Sequence, residues 1–558
     1  MLNLDTDKLT ITDVGHLPIA KHYAKQLNLV DTVDAMVQNQ MQTSAGLTVL
    51  AMVLDTLSGR NPLYRLQRFF QDKDTELLLG QTVDDQDFAD HNLGRVLDSL
   101  YATGTQNIFA QLAQNAIGNF QLDTRNLHYD TTSISVFGDY DFSDPPFHIT
   151  YGHSKDKRPD LKQFLVEMLC VDRDIPIIGA TRDGNASDKT LNNELLSGIS
   201  KHMAQHGIAQ GAFIYVADSA FVTPANLQQA QLNRVHFLSR LPATYKECSR
   251  AIEQAVAADQ WIDIGTLAQT PATKKRPSAY YRVFDTTVSL YKHDYRAIVV
   301  HSSAHDKRRQ KRILRLLDEK HKQLRGHVKQ ATDSNFFCHA DAQSVAKKLQ
   351  IQANGSYHKI STEVVEVPKF GRGRPAKDRP RTPVGYRYKL QVRIEQDGKA
   401  IEPLNLQAGC FVLLCNVPQT LNGEHWDAAA LLSLYKEQYG IEKNFGFLKD
   451  PVIVNSIFLK KPQRIEVLGL VLLIALLIWR LMERTMRQYL EEKNITITGW
   501  DNRQTKRPTS FMMTTKFINT LVLTVEKQRK LARPFKAEQV VFLAALWMYR
   551  QYRIDHWS

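Results

Sequence analysis

The sequence predicts an α/β protein in which a mixed sheet flanked by helices is interrupted by a large β-rich insertion and framed by helical N-terminal and C-terminal regions. Three observations lead there. Apolar residues recur at helical spacing up to about residue 120, short β-rich runs take over at residue 126, and residues 244–424 intervene before helical periodicity resumes. At 558 residues and 43% apolar content the chain is also too long for one core.

Residues 1–122 read as a helical N-terminal domain, because LPIAKHYAKQLNLVDTVDAM sets Leu17, Tyr23, Leu27, Val30 and Val33 on one helical face, and GLTVLAMVLDTL and PLYRLQRFF continue the pattern. Residues 123–243 form the first part of the sheet core. Its strands are NLHYDTTS, FHITYGH, QFLVEMLCV with PIIGATRD, AFIYVADS and VHFLSRL, and SDKTLNNELLSGISKHMAQHG supplies a crossover helix. The insertion, 244–424, holds strand-like runs such as YYRVFDTTVSLYK, YRAIVVHS, YRYKLQVRIEQD and CFVLLCNV. Residues 425–495 complete the core with the helix WDAAALLSLYKEQYGIEKNFGFLK and the apolar run VLGLVLLIALLIW, and 496–558 form a helical C-terminal region. That apolar run, residues 467–479, is shorter than the roughly 20 residues a bilayer core needs, so it is expected as a buried helix continuing to about Lys493, with no membrane role.

Five cysteines with no C-x-x-C spacing argue against a disulfide framework or zinc ribbon and for a reducing compartment. The first residues lack a basic stretch followed by an apolar one, so the expected location is cytoplasmic. The formal net charge of +13 is concentrated: residues 306–329 and 369–389 each carry +7, leaving the rest near neutral. Such patches call for a polyanionic partner, since each Lys or Arg set on a phosphate releases condensed counterions. A solvated helix face is the plain alternative for 306–329.

Two of the expected strands deliver an aspartate at their carboxyl ends, Asp130 in HYDTTS and Asp218 in VADSAF, where open α/β sheets place their sites. Either alone is an ordinary turn starter. With a third carboxylate such a pair can hold two divalent cations about 4 Å apart, activating a water or hydroxyl against a phosphodiester. Glu442 in YKEQYGIEKNFGFLKD is the candidate, with Tyr435 and Lys449 each seven residues away, two turns along the same helix face. A wet Glu442–Lys449 helix pair is the competing explanation.

The spacing Y-x2-Q-x3-E-x6-K at Tyr435, Gln438, Glu442 and Lys449 resembles the Y-x2-R-x3-E-x6-K signature of DDE transposases from bacterial insertion sequences, in the IS-four-like branch. HYDTTS, VADSAF, the FLSRLP strand around Arg240 and the large β-rich insertion are similar to that branch as well. The resemblance implies an RNase H-like core in which Asp130, Asp218 and Glu442 bind two magnesium ions, with manganese able to substitute. It also implies that Tyr435 and Lys449 hold the terminal phosphates of the element end. Gln438 stands where the family has Arg, and can donate a hydrogen bond but not a charged bidentate fork.

The implied partner is double-stranded DNA, both the element's inverted repeats and the target. The implied activity is cleavage at the ends followed by strand transfer, by a homodimer in the DNA complex, with the N-terminal domain binding the ends and the protein on the nucleoid when bound. Arg240 is a further expected DNA contact. So are Arg372, Arg374 and Lys377 of GRGRPAK, either because Arg372-Gly373-Arg374-Pro375 resembles the AT-hook core that lays arginines along a narrow minor groove or as a flexible basic loop bound only to phosphates. Related transposases flip a base at the cleaved end, for which Trp261 or Trp426 could serve. Lys155 and Lys162 in YGHSKDKRPDLKQ fall beside the expected site. A non-catalytic DNA-binding protein derived from a transposase, and an RNase H-like nuclease without strand transfer, stay open as alternatives.

Overall fold

Alternation between β-branched and polar residues makes LTITD a strand, β1 (Leu9–Asp13), and its partner lies at the other end of the chain: it pairs antiparallel with Leu521–Val525, which pairs in turn with Gln528–Leu531. Neither terminal region is therefore purely helical, contrary to the expectation, because a ladder closed over some five hundred residues leaves no trace in a local window. The computed structural model describes residues 9–38, 41–59, 65–205, 207–268, 277–372, 382–450, 459–525 and 528–548. Among the described residues, seven α-helices follow β1: α1 (Leu17–Gln26), α2 (Leu29–Met36), α3 (Ala45–Leu57), α4 (Leu66–Gln71), α5 (Thr75–Leu79), α6 (Asp90–Thr103) and α7 (Thr105–Phe120). Ser44 caps α3 by accepting from the Leu47 amide, and every residue of that helix is buried.

The sheet comes next, as β2 (Asn126–Val136), β3 (Lys162–Val171), β4 (Ile175–Arg182), α8 (Asp188–Gln205), β5 (Ile214–Ala217), α9 (Pro224–Leu232) and β6 (His236–Arg240). Its order is β4-β3-β2-β5-β6, antiparallel through β4, β3 and β2 and parallel through β2, β5 and β6. FHITYGH, expected as a strand, contributes a single bridge, Thr150 to Gln163.

The chain divides into two units, one comprising residues up to Ser239 with Asn416–Trp426 and Ser433 onward, the other Arg240–Cys415 with Asp427–Leu432. The second unit holds α10 (Lys246–Ala258), β7 (Ile262–Thr266), β8 (Tyr280–Leu290), β9 (His293–Ser302), α11 (Ser303–Thr332), α12 (His339–Gln352), β10 (His358–Lys369), β11 (Gly385–Gln396), α13 (Gly398–Leu406) and β12 (Cys410–Cys415). It is as helical as it is stranded. β12, β9, β8 and β7 pair antiparallel, while the β10–β11 ribbon packs with α11 and α12 around Leu324, Ala331, Ala346, Leu349, Ile360 and Leu390. The basic run 306–329 lies within α11, whose Leu317, Leu324 and Ala331 repeat every seven residues on the buried side while Arg308, Arg312 and Arg315 are turned outward.

Next along the chain come α14 (Ala428–Glu437), which starts in the second unit and ends in the first, and α15 (Tyr439–Lys449) and α16 (Pro462–Glu492) of the first unit. By length and composition α16 could cross a membrane, but 89% of its most apolar window is buried in the protein, against α3, α6, α7 and β4. Burial of each Leu or Ile there is worth about 1.5–3 kcal/mol. Arg480 is buried in the same helix and donates to Glu483 at 2.7 Å and to Asn444 of α15 at 2.6 Å; Glu483 also accepts from Arg487 and from the Ser510 amide. Removing one member of such a network leaves a charge buried without its counterpart. Arg480→Met should therefore lower unfolding stability by about 3–5 kcal/mol, seen as a lower denaturant midpoint at unchanged slope.

Candidate active site

The position of the two strand aspartates follows from register. β2 pairs with β5 in parallel at Asn126–Ile214, Leu127–Tyr215 and His128–Val216, and β5 then stops at Ala217. Carried two residues further, that register sets Asp130 opposite Asp218, on neighbouring strands and the same face. Asp130, expected from the sequence at the carboxyl end of its strand, lies inside it instead: β2 runs on to Val136, paired with β3. Asp218 caps the short turn after β5, accepting from the Ala220 amide at 3.0 Å, and Ser239 of β6 donates to the Asp218 carbonyl at 2.7 Å.

A third aspartate and a lysine join them. Asp188, first residue of α8, accepts a hydrogen bond from the Thr131 hydroxyl, and its other oxygen lies 3.3 Å from the Lys155 ammonium. That ammonium also donates to the Thr131 carbonyl at 2.6 Å and stands 3.8 Å from Asp130. Sequence reading missed Asp188 because a carboxylate opening a helix looks like any first-turn residue satisfying free amides. Lys155, by contrast, was legible as a neighbour of the site.

Asp130 is 23% exposed, yet protein atoms crowd it, and burial pushes its carboxyl up to about 7; Lys155 and the Thr131 amide oppose the rise, while Asp218 and Asp188 add to it. Burial also raises Asp218, again with Asp188 adding and Lys155 opposing.

Glu442 arrives on α15, which is held to the sheet by its neighbours. Gln438 donates to the Tyr129 carbonyl at 2.9 Å and its carbonyl oxygen lies 3.2 Å from His128 Nδ1, so this residue, expected at DNA, has both amide ends on β2 next to Asp130. Asn444 donates to the Asp174 carbonyl at 2.8 Å in the β3–β4 turn. Gly440 approaches the same turn so closely that a Cβ would stand 2.8 Å from the Arg173 carbonyl oxygen. Glu442, one turn beyond Gln438, is exposed. The helix expected to run unbroken from Tyr435 through Lys449 is interrupted at Gln438, where α14 gives way to α15, so Tyr435 and Glu442 do not share one regular helix. Among the described residues no three His, Cys, Asp or Glu side chains gather closely enough to hold a single ion.

The remaining candidates are dispersed. Lys449 forms an ion pair with Asp156 at 2.5 Å, and Tyr435 is half-buried. In the second unit Arg240 stacks over Phe411 at 5.2 Å from the ring centre, Trp261 lies under Arg282, and Arg372 is exposed. Arg374 and Lys377 lie outside the described residues. Trp426 is buried in the first unit, which fits a core role rather than a base platform.

Residues 127–478, well over half of the chain, match the model of the transposase DDE domain family. The chain belongs to that family and is a DDE transposase. Residues 9–114 match a second family, a domain of unknown function (DUF4277). No curated protein matches the chain.

The raised Asp130 carboxyl predicts a pH dependence of the ion-free protein. Its folded value of about 7 exceeds its ordinary 3.8, so the fold holds a proton that the unfolded chain releases. The stabilisation is complete below the ordinary value and is lost as pH rises through about 7. Thermal midpoints of the chelated wild-type protein should fall between pH 5 and 8, and Asp130→Asn should flatten that decline.

Proposed function

We propose that this transposase cuts DNA at the ends of its element and joins the freed 3′ hydroxyl to target DNA, using Asp130, Asp218 and Glu442 on an RNase H-like core of the IS-four-like branch. The observation that carries the reading is the parallel register of β2 and β5, which sets Asp130 beside Asp218, with the Glu442 helix tied to the same strand by Gln438. Members of this family generally use divalent metals, and the donors here suit magnesium or manganese: all are hard carboxylate oxygens, and Asp130 with its neighbour Asp188 already flanks a cation, the Lys155 ammonium. When bound, the ions would supply Lewis acidity and a deprotonated nucleophile at neutral pH.

The chain's own residues do the rest. Asp130 and Asp218 present oxygens fixed by backbone amides, from Thr131 to the first and from Ala220 to the second. Glu442 is exposed near the start of a helix whose position is set by buried contacts, and its assigned role requires its carboxylate to turn toward the pair. Lys449 can exchange Asp156 for a terminal phosphate as a point charge. Gln438 is assigned a structural role in place of a phosphate clamp. Joining both ends in concert calls for a dimer on DNA, and the outward face of α11 offers phosphate contacts without reading sequence.

Incubation with element-end duplex and magnesium tests the reading. Nicking and joining by the wild-type protein, reduced at least about 1,000-fold in Asp130→Ala, is the expected result. Tight binding with no cleavage would favour the non-catalytic alternative, and cutting without joining would favour a plain nuclease. Replacing Arg308, Arg312 and Arg315 together by Ala should weaken binding equally across sequences and reduce the slope of log affinity against log salt by up to about three.

A further inference from the structure

Lys155 is not placed like a surface lysine. Its backbone amide donates to Ser133 Oγ at 3.0 Å, fixing the loop against β2. Its ammonium then meets four oxygens of the site: the Thr131 carbonyl at 2.6 Å, the Thr131 hydroxyl at 2.9 Å, Asp188 at 3.3 Å and Asp130 at 3.8 Å. Three carboxyl groups, Asp130, Asp188 and Asp218, share this edge, and a cation among them offsets the repulsion that grows as they ionise. The Thr131 hydroxyl donates to Asp188, so strand and helix α8 close around the ammonium. A divalent ion cannot share that space with it.

We propose that Lys155 is the resident counter-ion of the Asp130 edge, held there by Thr131 and Asp188, and that a divalent ion enters only by displacing it. The side chain is 31% exposed, so it is not sealed inside the fold, and displacement would turn the ammonium toward solvent. The cost is that ion binding must compete with an intramolecular charge always present at high effective concentration. The advantage is that the ion-free protein keeps its carboxylates in place. Asp188 is thereby a positioning residue, acting through Lys155 and Thr131.

The proposal rests on the reading of Asp130 as an ion ligand, and titration calorimetry with manganese separates the two. Full-length wild-type, Lys155→Gln, Lys155→Arg and Asp130→Asn proteins are compared without DNA. Lys155→Gln should bind manganese about ten-fold more tightly than wild type, because a competing unit charge is gone. It should also melt at lower temperature when ion-free and regain the loss when manganese is added. Lys155→Arg should stay close to wild type in both respects and shows whether a cation there is enough. Asp130→Asn should lose most of the binding. If it does while Lys155→Gln binds manganese no more tightly than wild type, the displacement proposal is overturned and the ion site stands. If Asp130→Asn binds as wild type does, the ion-site reading itself fails, and the proposal with it.

Discussion

Two side-chain amides hold the helix bearing Glu442 to the sheet bearing Asp130. Gln438 ties the start of α15 to the backbone of β2 and Asn444 ties its second turn to the β3–β4 turn, while Arg480 of α16 holds Asn444 from behind. Gly440 lets the helix come within contact of Arg173 between those two bonds. Amides suit the task because each can donate and accept at once and carries no charge to desolvate. The role proposed for Glu442 depends on this attachment, which relates a helix near residue 440 to a strand near residue 130.

The site and its support handle charge in opposite ways. Behind α15, Arg480, Arg487 and Glu483 are locked into a buried network with little freedom to rearrange. At the edge, the carboxylates are crowded but partly open to solvent, and the lysine among them is hydrogen-bonded but not fully buried. A rigid base under a partly open charge cluster would suit the proposed cation uptake, in which the ligands keep their places.

In the second unit charge is sorted by helical geometry. A single long helix turns leucines into a small core shared with the β10–β11 ribbon and arginines away from it, so concentrated positive charge costs the fold little. The proposed DNA contact surface is thus a by-product of one amphipathic pattern.

How much of this was legible depends on the range of the interactions. Periodicity and composition determined the α/β class, the crossover helix α8, the buried apolar helix α16 and the basic stretches, because each is written in residues close along the chain. The spacing of Tyr435, Gln438, Glu442 and Lys449, taken with HYDTTS and VADSAF, pointed to the DDE transposases, the family that the match over residues 127–478 shows. Tertiary structure alone decided that LTITD is a strand, that Gln438 faces inward, that the helix breaks there, and that Asp188 and Lys155 meet at Asp130. Each of those depends on contacts between segments distant in sequence, whose partners are chosen by packing and by the need to satisfy buried polar groups, and no local pattern encodes that choice.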